Sequence, residues 1–132
     1  MKNYSYTKKS PFWFFETLDE LRISFTNKGF WVVFNVDISE KIKNKVDSSF
    51  PKYVSLGFCK PEFAYEYLKQ DINLWVFMPC SVAIYEDNWE VFISTLLVEN
   101  AIWKLVGNEK LEKINYELSE TIKEIFEESL GN

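Results

Sequence analysis

Two cysteines carry most of the reactive chemistry this sequence has to offer, and each stands beside a proline. Cys59-Lys60-Pro61 follows a β-branched, aromatic stretch and opens a helical one, while Pro79-Cys80 lies inside an apolar run. A thiol just before a helix start faces free backbone N–H groups and the positive end of the helix dipole, which favour the thiolate. Lys60 adds a neighbouring positive charge. The competing reading of Cys59 is a small buried hydrophobe filling a strand–helix corner, since free cysteine is among the most buried residue types. Cys80 lies near Cys59 if the strands that carry them are neighbours. The spacing is not that of a redox C-x-x-C pair.

Other chemistries are limited by what the chain lacks. It has no histidine, which excludes a Ser-His-Asp triad, a Cys-His pair and histidine-ligated zinc. Its four glycines, Gly29, Gly57, Gly107 and Gly131, are too scattered for a phosphate-cradling loop. Two cysteines cannot make a four-thiolate zinc site within one chain, and nothing in their spacing favours one shared across a dimer, so no metal and no cofactor is expected. Twenty acidic residues outnumber fifteen basic ones, giving a net charge of −5, and Arg22 is the single arginine. That balance speaks against a nucleic-acid partner, which needs clustered positive charge. The acids Glu86, Asp87, Glu127 and Glu128 lack the apolar flanks that would raise a carboxyl pKa for acid catalysis, and are read as solvated.

The elements that must position these residues are legible from periodicity. A weak alternation through Tyr4 and Tyr6 predicts a short strand. Ser10-Pro11 predicts a helix over 11–28, with Ser10 as N-cap, Phe14, Leu18, Leu21 and Phe25 inward, and Gly29 just past its end. Phe30 to Val36 is β-branched and aromatic and predicts a buried strand. Ser39 is expected to cap a short helix through Val46. Strands are predicted over 52–58 and 74–86, with Pro79 marking a bulge or edge. Between them lies a helix from Pro61 to Gln70 with Phe63, Ala64, Tyr67 and Leu68 inward, ended by Asp71-Ile72-Asn73. Asp87-Asn88 predicts a tight turn into a hairpin partner over 89–96. Helices follow over 98–106 and from Glu109 to Leu130, the latter with Leu111, Ile114, Leu118, Ile122, Ile125 and Phe126 on one face.

The stretch Gly57-Phe58-Cys59-Lys60-Pro61-Glu62-Phe63-Ala64-Tyr65-Glu66-Tyr67-Leu68, followed by Met78-Pro79-Cys80-Ser81-Val82-Ala83-Ile84-Tyr85-Glu86, resembles the central signature of the domain of unknown function number 302 family. In that family a Cys-Asn-Pro opens a helix and a Leu-Leu-Pro-Cys strand leads into a hairpin. The flanks from Leu18 to Phe30 and at Val106-Gly107-Asn108 are similar too, so the likeness runs from about Phe12 to about Leu130. It implies a compact α+β domain with a TATA-binding-protein-like layout and a tendency to pair as homodimers, and it supplies no activity or cofactor. Two positions depart from the pattern. Lys60 stands where asparagine is common, and Leu97-Val98-Glu99-Asn100 replaces the usual Asp-Pro.

These readings combine into one α+β domain over 1–132, a single antiparallel-rich sheet of about five strands with helices on one face. The chain carries 12 Phe, 7 Tyr and 5 Trp. Either a bulky core absorbs these rings, or some of them line a pocket or a subunit contact. The leading functional expectation is a non-enzymatic homodimeric binding or interaction module with an aromatic-lined pocket, taking a small apolar or thiol-reactive ligand around Cys59, Lys60, Pro61, Pro79 and Cys80. The alternative is thiol-based redox or sulfur transfer, with Cys59 as nucleophile and Cys80 in support. No apolar run is long enough to span a membrane. The polar first ten residues do not resemble a secretory signal, and two cysteines do not make a disulfide framework. The expected compartment is therefore the cytoplasm.

Overall fold

The computed structural model describes residues 4–77, 80–98 and 109–131. Five strands form one antiparallel sheet in the order β1-β5-β4-β3-β2. They are β1 (Ser5–Lys9), β2 (Trp31–Asp37), β3 (Tyr53–Cys59), β4 (Cys80–Asp87) and β5 (Glu90–Leu96). The described helices are α1 (Phe14–Asn27), α2 (Ile38–Lys45), α3 (Pro61–Gln70) and α4 (Glu109–Leu130).

Alternation along the strands separates the two faces of the sheet. Val54, Leu56 and Phe58 of β3, Val82 and Ile84 of β4, and Val91 and Ile93 of β5 point into the core. There they meet Leu18, Leu21 and Phe25 of α1 and the full apolar stripe expected of α4. Phe25 stacks on Phe58 with ring centroids 4.0 Å apart, fixing α1 against the middle of the sheet. On the opposite face Ser5, Thr7, Ser55, Ser81, Ala83 and Ser94 are half-exposed or exposed.

Four local expectations need correction. α1 begins at Phe14 and not at Pro11, with Trp13 as its N-cap. Ser10 cannot serve because its N–H donates to the Val91 carbonyl and its hydroxyl accepts from Phe12 N–H, which ties it to β5 and to a local turn. α2 is capped by Asp37, whose carboxylate accepts from Glu40 N–H and from the Ser39 hydroxyl. The segment from Phe30 to Val36 does not form a buried strand. β2 is an edge strand with Trp31, Val32, Val33 and Val36 all exposed. The predicted strand over 74–86 begins only at Cys80, because Ile72–Phe77 is a 3-10 helix anchored by Asp71, whose carbonyl and carboxylate accept from Leu74 N–H and Asn73 N–H. The expected helix over 98–106 lies outside the described residues apart from Val98.

Candidate functional site

Cys59 closes β3, and Pro61 opens α3 at the first helical position, where its missing N–H costs nothing. Lys60 between them is the helix N-cap and makes no side-chain cap. Its ammonium lies 3.9 Å from Glu62 and 5.9 Å from the Phe30 ring centre, so it leans over the start of β2. Pro61 itself is exposed. Pro79 lies outside the described residues. Cys80, paired with Phe58 across the sheet, packs half-buried against the core.

The two thiols are near enough that ionising one opposes ionising the other. Burial nevertheless dominates at both. It raises the Cys59 thiol above the ordinary range, with the residue only 2% exposed, and pushes Cys80 up to about 12. The thiolate expected at the mouth of α3 is therefore not favoured, since removing the thiol from water penalises its charged form. Cys80 also opposes ionisation of Tyr67, whose hydroxyl donates to Asn115 Oδ1 at 2.5 Å. The cluster thus runs from Cys59 through Cys80 and Tyr67 to α4.

Asn115 escaped the sequence reading. Its signal was an amide side chain beside Leu111, Ile114 and Leu118 on the face that the apolar repeat turns inward. Tyr67 was placed on the inner face of α3, and it is the one residue of that face to become fully buried; Phe63, Ala64 and Leu68 are half-exposed. Of the acids read as solvated, Glu127 is tied to β1. Glu127 accepts from Tyr6 at 2.8 Å and from Lys8 at 3.2 Å, which holds its carboxyl below the usual range. No group of three or more His, Cys, Asp and Glu among the described residues is arranged to hold a metal ion.

A second concavity lies on the open face of the sheet. It encloses about 390 Å³ over a floor of Ser55, Ser81, Ala83 and Ser94, with Tyr4, Tyr53, Ile38 and Leu96 around it. Tyr53, Tyr85 and Phe92 form a stacked ladder beside that floor, with successive centroids 5.4 and 5.7 Å apart. The charged side chains on this face, Lys9, Asp87 and Glu90, sit at the hairpin end, which leaves the floor neutral. Alternating small residues on three adjacent strands were the sequence signal for it.

A family model described as Domain of unknown function DUF302 matches residues 6–129. The chain belongs to this family. The crystal structure of an uncharacterized conserved DUF302 protein from Bacillus stearothermophilus superimposes with a TM-score of 0.90 at 20% sequence identity, covering 98% of this chain and 99% of that one. At that identity the likeness carries the fold and nothing more. None of the proteins with curated functions matches the chain. No helix among the described residues is long and apolar enough to cross a membrane.

Proposed function

We propose that this DUF302 domain is a non-enzymatic homodimeric binding module that pairs through β2 and binds a small apolar ligand on the open sheet face. The observation that carries the proposal is the character of β2. It is a sheet edge whose outer ladder has no strand partner among the described residues, its open face carries Trp31, Phe34 and Val36, and it holds no charged residue before Asp37. Soluble proteins normally blunt such an edge with lysine or proline. The opposite edge, β1, follows that rule with Lys8 and Lys9. An antiparallel pair of β2 strands is self-complementary under a two-fold axis, so a second copy satisfies the ladder and covers Trp31, Val33 and Val36 together. The neutral, aromatic-rimmed floor of the open face suits an apolar ligand, because the polar side-chain groups lining it are uncharged hydroxyls.

The thiol alternative is not adopted. Proximity of Cys59 and Cys80 speaks for it, but burial holds both thiols protonated.

Light scattering coupled to gel filtration tests the pairing. The native chain is expected at twice its monomer mass, and Val33→Lys, which places a charge on the edge, at the monomer mass with an unchanged far-UV spectrum. A native chain that is monomeric throughout the concentration series rejects the reading. Mass spectrometry of an organic extract of the purified protein tests for a bound ligand.

A further inference from the structure

Asn115 and Ser119 lie one turn apart on α4 and are 0% and 3% exposed. The Tyr67 hydroxyl occupies Asn115 Oδ1, leaving both hydrogens of the amide nitrogen unspent. Neither that nitrogen nor the Ser119 hydroxyl has a hydrogen-bond partner among the described residues. Leaving two adjacent buried polar atoms bare is costly, and native proteins rarely tolerate it.

Ser119 differs from several other helical hydroxyls. Thr17, Thr26, Thr121 and Ser129 all donate to the carbonyl four residues back in their own helix. That bond is a common outlet for a hydroxyl inside a helix. Ser119 forgoes it, although the Asn115 carbonyl stands in the same relation to it.

The unspent groups are two N–H donors and a hydroxyl, which together call for oxygen lone pairs. The surroundings decide the charge. Burial raises the pKa of both Tyr67 and Cys80, so this part of the core resists negative charge, and the group that Asn115 accepts from is the neutral Tyr67 hydroxyl. An anion would sit here without a counter-charge.

We infer that Tyr67, Asn115 and Ser119 frame an internal site for a neutral oxygen acceptor, either a bound water or the carbonyl of a small uncharged molecule. The site stands apart from the β2 pairing and the open-face concavity, and its test is independent of both.

The probe is the occupant's own protons, read by ¹⁵N-edited NOE and ROE spectra of the Asn115 side-chain amide in the native chain. Cross-peaks to water alone assign a bound water. Cross-peaks to non-protein resonances, with a matching mass in the organic extract, assign a carbonyl compound. The absence of both overturns the proposal. Ser119→Ala gives an independent reading. The swap nearly conserves volume and favours helix, so removing a bare hydroxyl would raise the melting temperature or leave it unchanged. With an occupant bonded there, the variant melts about 3 °C lower and the Asn115 cross-peaks weaken. A rise or no change in melting temperature counts against the site.

Discussion

At the scale of single residues, Gly57 shows how tightly the open face is built. It faces Phe34 across the β2–β3 pair, and a Cβ placed on it would lie 2.2 Å from a carbon of the Phe34 ring. The aromatic ring has taken the space a side chain would fill, a known way of compensating for glycine in a strand. Gly57→Ala must therefore displace the ring or bend the edge strand, and is expected to cost about 1–3 kcal/mol. Most of that cost should vanish in a Phe34→Ala background, because the clash is then gone. Urea titrations of the two single variants and the double variant measure the coupling. Additive effects would mean that the ring does not hold Gly57 in place. Cysteine chemistry belongs to the same scale. The sequence placed Cys59 correctly at a strand–helix corner, but its protonation depends on how much of the fold covers it, and that is not encoded locally.

Among the elements, legibility followed periodicity where one face alone is buried. The stripe of α4 and the inward residues of α1 were readable because a 3.6-residue repeat admits one solution. β2 was misjudged because an apolar run looks the same whether neighbouring strands cover it on both sides or it lies at an edge. Leu74 to Phe77 has strand-like composition, yet hydrogen bonds to Asp71 wind it into a 3-10 helix, and local capping outweighed β propensity. The hairpin between β4 and β5 was anticipated, but the full geometry of its turn was not. Its two central residues, Asn88 and Trp89, have φ of 51° and 68°, the pattern of a type I′ turn. Asparagine tolerates that region, whereas a bulky aromatic does so only at a cost. Trp89 is 93% exposed and recovers nothing through burial. Trp89→Gly is expected to stabilise the chain by about 0.5–1 kcal/mol, after allowing for the extra freedom glycine gives the unfolded state. A higher urea midpoint with an unchanged slope is the expected result. A lower midpoint would show that Trp89 packs against something in solution, with a second copy the first suspect.

For the whole molecule, the distribution of titrating groups sets a pH profile. Tyr6 is pushed up to about 12 by burial and by its hydrogen bond to Glu127, Cys80 reaches about 12, and Cys59, Tyr67 and Tyr85 also rise, all chiefly through burial. Each holds its proton more tightly folded than unfolded. Their contribution is complete below the unfolded values, about 8.5 for thiols and about 10 for phenols, and is lost as pH climbs toward the folded ones. Asp37, Asp47 and Glu127 run the other way. Hydrogen bonds, from Ser39, Ser49 and Tyr6 respectively, lower their pKa values, so they stabilise above the unfolded carboxyl range and the benefit disappears as pH falls below it. These carboxylates are solvent-screened, which makes the acid limb the shallower of the two. With no histidine in the chain, no side chain of ordinary pKa titrates between these limits. Urea midpoints should therefore coincide between about pH 6 and about pH 8 and fall steeply above about pH 9. A slope inside the neutral window would require a carboxyl raised, or a thiol lowered, into it. That would reopen acid–base or thiol chemistry for this domain.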